Sequence, residues 1–154
     1  MRKYLLIIGV VLIGLSSCHS DKNEGTLLSR TFPTQSWERF DFVKAEIDLK
    51  KPATYNLVLS VSFDPSYVQD YLSVVFTVFD NYDHPLRTKG YKFNLKEKDG
   101  SWKSSLTDGS YHFSFPINSE LSINEPGKYT FQLENRMPIT PLSGINSVEI
   151  VNTK

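Results

Sequence analysis

The chain reads as all-β: a single antiparallel β-sandwich of about eight strands, jelly-roll or immunoglobulin-like. Three observations predict it. Apolar residues recur with a period of two along most of the chain, the spacing of a half-buried strand. Turn chemistry built on Gly, Pro, Asn and Asp separates these short runs. Ten Phe, eight Tyr and two Trp supply side chains that favour strands, and no helical period outlasts a turn or two. The sandwich is assigned to residues 26–154, behind a leader at 1–17 and a tether at 18–25.

Each element follows from its own pattern. Leu28, Arg30 and Phe32 begin an edge-like strand that Pro33 ends. Trp37, Phe40 and Phe42 follow a polar turn. Ala45, Ile47 and Leu49 alternate until Lys50-Lys51-Pro52 stops them. Tyr55, Leu57, Leu59, Val61 and Phe63 form the cleanest strand, one face to the core and one toward water. Asp64-Pro65-Ser66 turns the chain. Leu72, Val74, Phe76 and Val78 make the next strand, where Val75 and Phe79 predict burial on both faces. Asp80 to Pro85 breaks it. Tyr91, Phe93 and Leu95 follow, then Lys98-Asp99-Gly100-Ser101, a hairpin-type turn. Thr107-Asp108-Gly109-Ser110 has the same chemistry. Tyr111, Phe113 and Phe115 alternate up to Pro116. Glu125-Pro126-Gly127 turns into Tyr129, Phe131 and Leu133. Pro138, Pro141 and Gly144 argue against a helix in 137–145, and Ser147–Val151 closes the chain.

The amino end carries an address. Arg2 and Lys3 precede an apolar stretch from Leu5 to Leu15, too short to span a bilayer comfortably. A basic start, a greasy middle and small residues at a boundary form a secretory signal. Leu15-Ser16-Ser17-Cys18 also resembles a bacterial lipobox, which implies a diacylglycerol on the Cys18 thiol, removal of 1–17 and acylation of the new amino group. Two or more acyl chains anchor a protein stably. The expected location is a membrane reached through lipid, the outer membrane of a Gram-negative envelope, facing the periplasm or the surface. His19 to Gly25 is polar and reads as a solvated tether.

Composition narrows the function. Seventeen Lys and Arg balance seventeen Asp and Glu, and losing Arg2 and Lys3 would leave about two negative charges. Nucleic acid is not an expected partner, since it asks for a basic stripe. Cys18 is the one cysteine, so a disulfide framework is excluded. His19, His84 and His112 have no ligand-spaced partners for zinc, and no Gly-x-Ser-x-Gly elbow is present. The chain is therefore read as non-catalytic, with no cofactor and no metal. Asp80-Asn81-Tyr82-Asp83 offers hard oxygens for calcium, yet lacks the glycine and distal glutamate of an EF-hand loop. It is read as local hydrogen bonding.

Exposed aromatics could stack on sugar rings. Trp37, Trp102, Tyr67, Tyr71, Tyr82 and Tyr111 are the candidates, with Trp37, Trp102 and Tyr82 singled out as ligand or partner contacts. The competing reading of Trp102 is a lid over one end of the core.

Three segments resemble the GldH family of gliding-motility-associated lipoproteins. They are Tyr91 to Trp102, a strand, a Gly turn and a Trp; Gly127-Lys128-Tyr129-Thr130-Phe131; and Met137 with Leu142-x-Gly144-Ile145-x-x-Val148. The lipobox, the chain length and Trp37 agree. Glu149 departs from the family pattern, which tends to Gly there. The resemblance implies an envelope lipoprotein, an accessory of a motility or secretion apparatus that meets other envelope proteins. A surface carbohydrate-binding lipoprotein is the alternative. The family supplies no catalytic residues to carry over.

Overall fold

A computed structural model describes residues 25–153. The leader, Cys18 and residues 18–24 of the tether lie outside the described residues. Every regular element in the described span is a strand, and no helix occurs there. The fold is all-β and antiparallel, and it includes a curled half-barrel. Among the described residues, eleven strands stand where about eight were expected. They are β1 (Gly25–Thr31), β2 (Ser36–Trp37), β3 (Val43–Leu49), β4 (Ala53–Phe63), β5 (Tyr71–Phe79), β6 (Pro85–Asn94), β7 (Leu106–Thr107), β8 (Ser110–Ile123), β9 (Gly127–Asn135), β10 (Leu142–Ser143) and β11 (Ile145–Asn152). The surplus is β2, β7 and β10, each two residues long and too short for any periodicity to reveal.

The strands form a five-stranded sheet, β1-β11-β4-β8-β7, a four-stranded sheet, β3-β9-β5-β6, and a small pair, β10-β2. One apolar core draws its residues from both larger sheets. β4 shows why. Its alternate residues Tyr55, Leu57, Leu59, Val61 and Phe63 are all buried, and Leu59 lies level with Ile150 of β11 and Phe115 of β8. From the other sheet, β5 contributes Leu72, Val74, Phe76 and Val78, and β9 contributes Phe131 and Leu133. Val75 and Phe79 are half-buried, so the second face of β5 is partly covered.

Two boundaries differ from the sequence expectation. β8 does not stop at Pro116 but runs to Ile123. Beyond Tyr111 its outer edge is unpaired, and its ladder to β4 shifts register on both sides of Leu57, beside Pro116. A residue without an N–H is tolerated at such a bulged edge. β6 begins at Pro85 rather than Tyr91. Its residues 85–90 are exposed on both faces, so they carry no apolar alternation. Backbone pairing with β5 alone holds them.

The strands give the molecule two poles. Gly25 is level with Asn152, Leu57 and Asn118 across four neighbouring strands. The turns at 50–52, 80–84 and 124–126 gather at this terminal pole. The loops at 32–42, 64–70 and 136–144 gather at the far pole, tied by Arg136 N to Ser73 O, Gly144 N to Gln35 O and Asp64 N to Gly144 O. There Trp37 is fully buried and its indole donates to Asp41 O at 2.7 Å. Asn135, also fully buried, donates to Trp37 O and accepts from Met137 N.

Candidate functional site: an open seam between two sheet edges

β6 pairs only with β5, and β8 beyond Tyr111 pairs only with β4. Each sheet therefore has a free edge, and the two edges face one another. Toward the far pole, aromatic rings close the gap. Phe93 of β6 stacks on Phe115 of β8, centroids 4.1 Å apart and planes 8° off parallel. Tyr91 stacks on Phe93 and Phe113 on Phe115. Trp102, on the connecting loop, stacks on Tyr111 at 4.1 Å and leans on Phe113 at 6.1 Å. Offset stacks like these each add about 0.5–1.5 kcal/mol beyond their buried area.

Toward the terminal pole the stack ends and the seam opens. Register explains it. Directly opposed residues of an antiparallel pair share a face. Leu133, Phe76 and Lys89 stand in one row, as do Phe131, Val78 and Arg87. Two apolar rows on the core-facing side thus end in cations, and both cations are exposed. With Tyr91 and residues 116–119 of β8 they line a pocket of about 260 Å³. It adjoins, through Arg87, a pocket of about 540 Å³ at the terminal pole, between the β5–β6 and β8–β9 turns.

Tyr91 Oη and Asn118 Nδ2 are buried with no hydrogen-bond partner among the described residues. Neither Arg87 nor Lys89 has an ion pair among them; the Lys89 ammonium rests 5.1 Å from the Tyr91 ring centroid. Burial pushes the Tyr91 phenol pKa up, opposed in part by the charge of Arg87. The phenol therefore stays a neutral donor.

The residues singled out from sequence do not converge. Trp37 is corrected as a contact: at 0 % exposure it belongs to the core. Trp102 is half-buried and caps the aromatic stack, and Tyr67 is buried beneath it. Tyr71 is half-buried with the Lys92 ammonium 4.0 Å from its ring centroid. Tyr82, 74 % exposed, lines the larger pocket at the terminal pole. Cys18 lies outside the described residues. In the acidic loop, Asp80 Oδ1 accepts from the backbone of Tyr82 at 2.8 Å and of His84 at 2.9 Å. These bonds, His84's first, hold its carboxyl below the usual range. His112 is exposed.

Arg87, Lys89 and Asn118 escaped the sequence reading. Lys and Arg in a polar stretch look like solvated surface. Counting back by twos from Phe93 and Tyr91 reaches Lys89 and Arg87, and that parity was the available signal.

Six large apolar side chains are exposed among the described residues, and four lie toward the far pole: Phe40 at 75 %, Val68 at 74 %, Leu106 and Ile139. Phe40 and Ile139 sit on loops joined by Arg39 N to Thr140 Oγ1, Arg39 Nη2 to Met137 O and Thr140 Oγ1 to Glu38.

The family model described as GldH lipoprotein matches residues 28–151, nearly the whole described span. No curated protein matches the chain.

Proposed function

We infer that this chain, which belongs to the GldH lipoprotein family, is a lipid-anchored, non-catalytic interaction module that docks on another envelope protein. Membership implies a lipid-anchored envelope location. The finer reading is ours. Cys18 carries the acyl groups, residues 18–25 form a short tether, and the body is a β-sandwich held at the outer membrane. Its partner belongs to an envelope motility or secretion apparatus.

One observation carries this reading: four of the six exposed large apolar side chains among the described residues lie toward the far pole, with Tyr82 and Leu86 at the other. Gly25, where the tether joins the body, is at one end of the strands. Phe40, Val68, Leu106 and Ile139 are exposed toward the other. An anchor at one end and an apolar surface at the other suit a protein that reaches from a membrane toward a partner.

Crosslinking in intact cells tests it. A photoreactive residue in place of Phe40 should give a defined protein adduct, and one in place of Lys51, at the terminal pole, should give none. Phe40→Ser with Val68→Ser should keep the melting temperature and the membrane fraction but lose the partner. Adducts from position 51 alone would overturn the reading. Cys18→Ala should move the folded protein to the soluble fraction; a variant that still pellets through high salt refutes the anchor.

A further inference from the structure

We propose, on the reading of Cys18 as the lipidated residue, that the terminal pole rests on the bilayer, with Tyr82 and Leu86 seated among zwitterionic phospholipid headgroups. These are the two exposed large apolar side chains that the far pole does not hold, at 74 % and 56 % exposure. Both line the pocket of about 540 Å³ between the β5–β6 and β8–β9 turns. Val78, near the end of β5, and Leu121 and Ile123, at the end of β8, line it as well. The loop that carries Tyr82 is held in shape. Asp80 Oδ1 accepts from Tyr82 N and His84 N, and Asp80 N donates to His84 O. Across the pocket, Tyr129 Oη donates to Glu125 O at 2.9 Å. A loop already ordered by its own bonds loses little further entropy when its side chain is covered.

The chain outside the body decides what covers this pole. Residues 18–24 join Cys18 to Gly25, and seven such steps reach at most about 25 Å. Gly25 leaves from the terminal pole. β4 has eleven residues, and a strand of that length spans about 36 Å. The tether therefore cannot let the body stand on its far pole. It can stand on the terminal pole or lie on a side. Every exposed large apolar side chain among the described residues lies toward one pole or the other, so the terminal pole has more to gain from lipid than a side has. Two such residues bind a bilayer weakly on their own, but a short tether makes the contact intramolecular. A Tyr ring suits the headgroup level, with one end apolar and the other wet.

Charge selects the lipid. Arg87 and Lys128 line the pocket, and so does Glu125. At the neighbouring turn Lys50 pairs with Asp48, and Asp83 and Glu120 are exposed beside them on this pole. Recognition of anionic lipid asks for clustered cations, and here the signs are mixed. A zwitterionic headgroup offers a phosphate to the cations and an ammonium to Glu125.

The test uses the full lipidated chain in vesicles of phosphatidylethanolamine and phosphatidylcholine that carry a headgroup-level quencher. Cys18 is the one cysteine and its sulfur is taken by lipid, so Asn81→Cys provides a single site for a fluorophore, and Val68→Cys a far-pole control. The label at 81 should be quenched severalfold more than the label at 68. High salt or added phosphatidylglycerol should not change this, since screening removes only attraction between net charges. Tyr82→Ser with Leu86→Ser should bring the quenching at 81 down to the level at 68 and keep the melting temperature, because both side chains are exposed. Flotation with the vesicles reports the anchor separately. A chain that fails to float refutes the lipidated Cys18 and the pole contact together. A chain that floats with equal quenching at 81 and 68, or with quenching at 81 unmoved by the double variant, overturns the pole contact alone. So does quenching that requires phosphatidylglycerol and disappears in salt. In intact cells a photoreactive residue in place of Asn81 should yield lipid adducts; a defined protein or glycan adduct there overturns the proposal.

Discussion

A side chain at Gly144 would place its Cβ 2.8 Å from the backbone N and Cα of Tyr67, at a φ of +82°. Nothing nearby can yield. Gly144 N donates to Gln35 O, and Gly144 O accepts from Asp64 N. Gly144→Ala therefore meets both left-handed strain and a backbone clash, and should lower stability by about 2 kcal/mol or more. Urea unfolding checks this: the midpoint should fall, with Gly100→Ala, which meets open space, falling less. In the sequence Gly144 was visible only as part of a short family-like motif, because the reason for it lies on a loop 77 residues earlier. Trp37 misled for a similar reason. Its neighbours Ser36, Glu38 and Arg39 are polar, but the loops of the far pole fold over it, and Asp41 O gives its N–H a partner. Tyr91 was read only as a member of an alternating strand with Phe93 and Leu95. Its ring packs against the core from that strand, while its unpartnered hydroxyl shows only once β8 is opposite it.

At the scale of elements, legibility tracks contrast between the two faces of a strand. β4 was readable almost to the residue because every second side chain is apolar and buried. β3 and β9 were readable for the same reason. β6 was half readable: residues 91–94 alternate, while 85–90 are exposed on both faces, and only their ladder to β5 makes them strand. The second half of β8 was lost to Pro116, whose stop signal fails at an unpaired, bulged edge. β4 also supplies the sharpest test of register. Leu59 has no exposure and lies level with Ile150 and Phe115. Leu59→Asp buries an unpaired carboxylate in that row and should cost at least about 4 kcal/mol, enough to unfold a domain of ordinary stability. The far-ultraviolet signal at 25 °C should show little folded protein. Native-like melting would mean that a one-residue slip had put Leu59 on the outer face.

At the scale of the molecule, packing must supply what cross-links do not. The pH limits of that packing follow from its titrating groups. Burial pushes the Tyr67 and Tyr55 phenols above their ordinary pKa of 10.0, and Tyr67 donates its O–H to Tyr71 O at 2.7 Å. A raised pKa gives stability that is complete below the unfolded value and disappears as pH climbs through the folded one. Asp64, Asp80 and Asp99 act in the opposite direction. Hydrogen bonds from Ser66, His84 and Ser101 respectively hold them below 3.8, so what they contribute is lost as pH falls through their lowered values. The melting temperature should be flat from about pH 5 to 9 and decline on both sides. Above pH 10 the last tyrosinate absorbance should appear together with loss of structure; its full appearance while the fold persists would contradict the burial of Tyr55 and Tyr67. The all-β class was legible because it depends on patterning alone. The seam was not, because it arises where β6 and β8, from different sheets, are brought edge to edge. The pairing of β1 with β11 has a practical consequence. Gly25 and Asn152 are neighbours, so the chain enters and leaves the body side by side. A fluorescent reporter fused after residue 154 would hang beside the tether and leave the opposite end unobstructed, whereas the same reporter spliced into the Asp108-Gly109 hairpin would crowd Leu106.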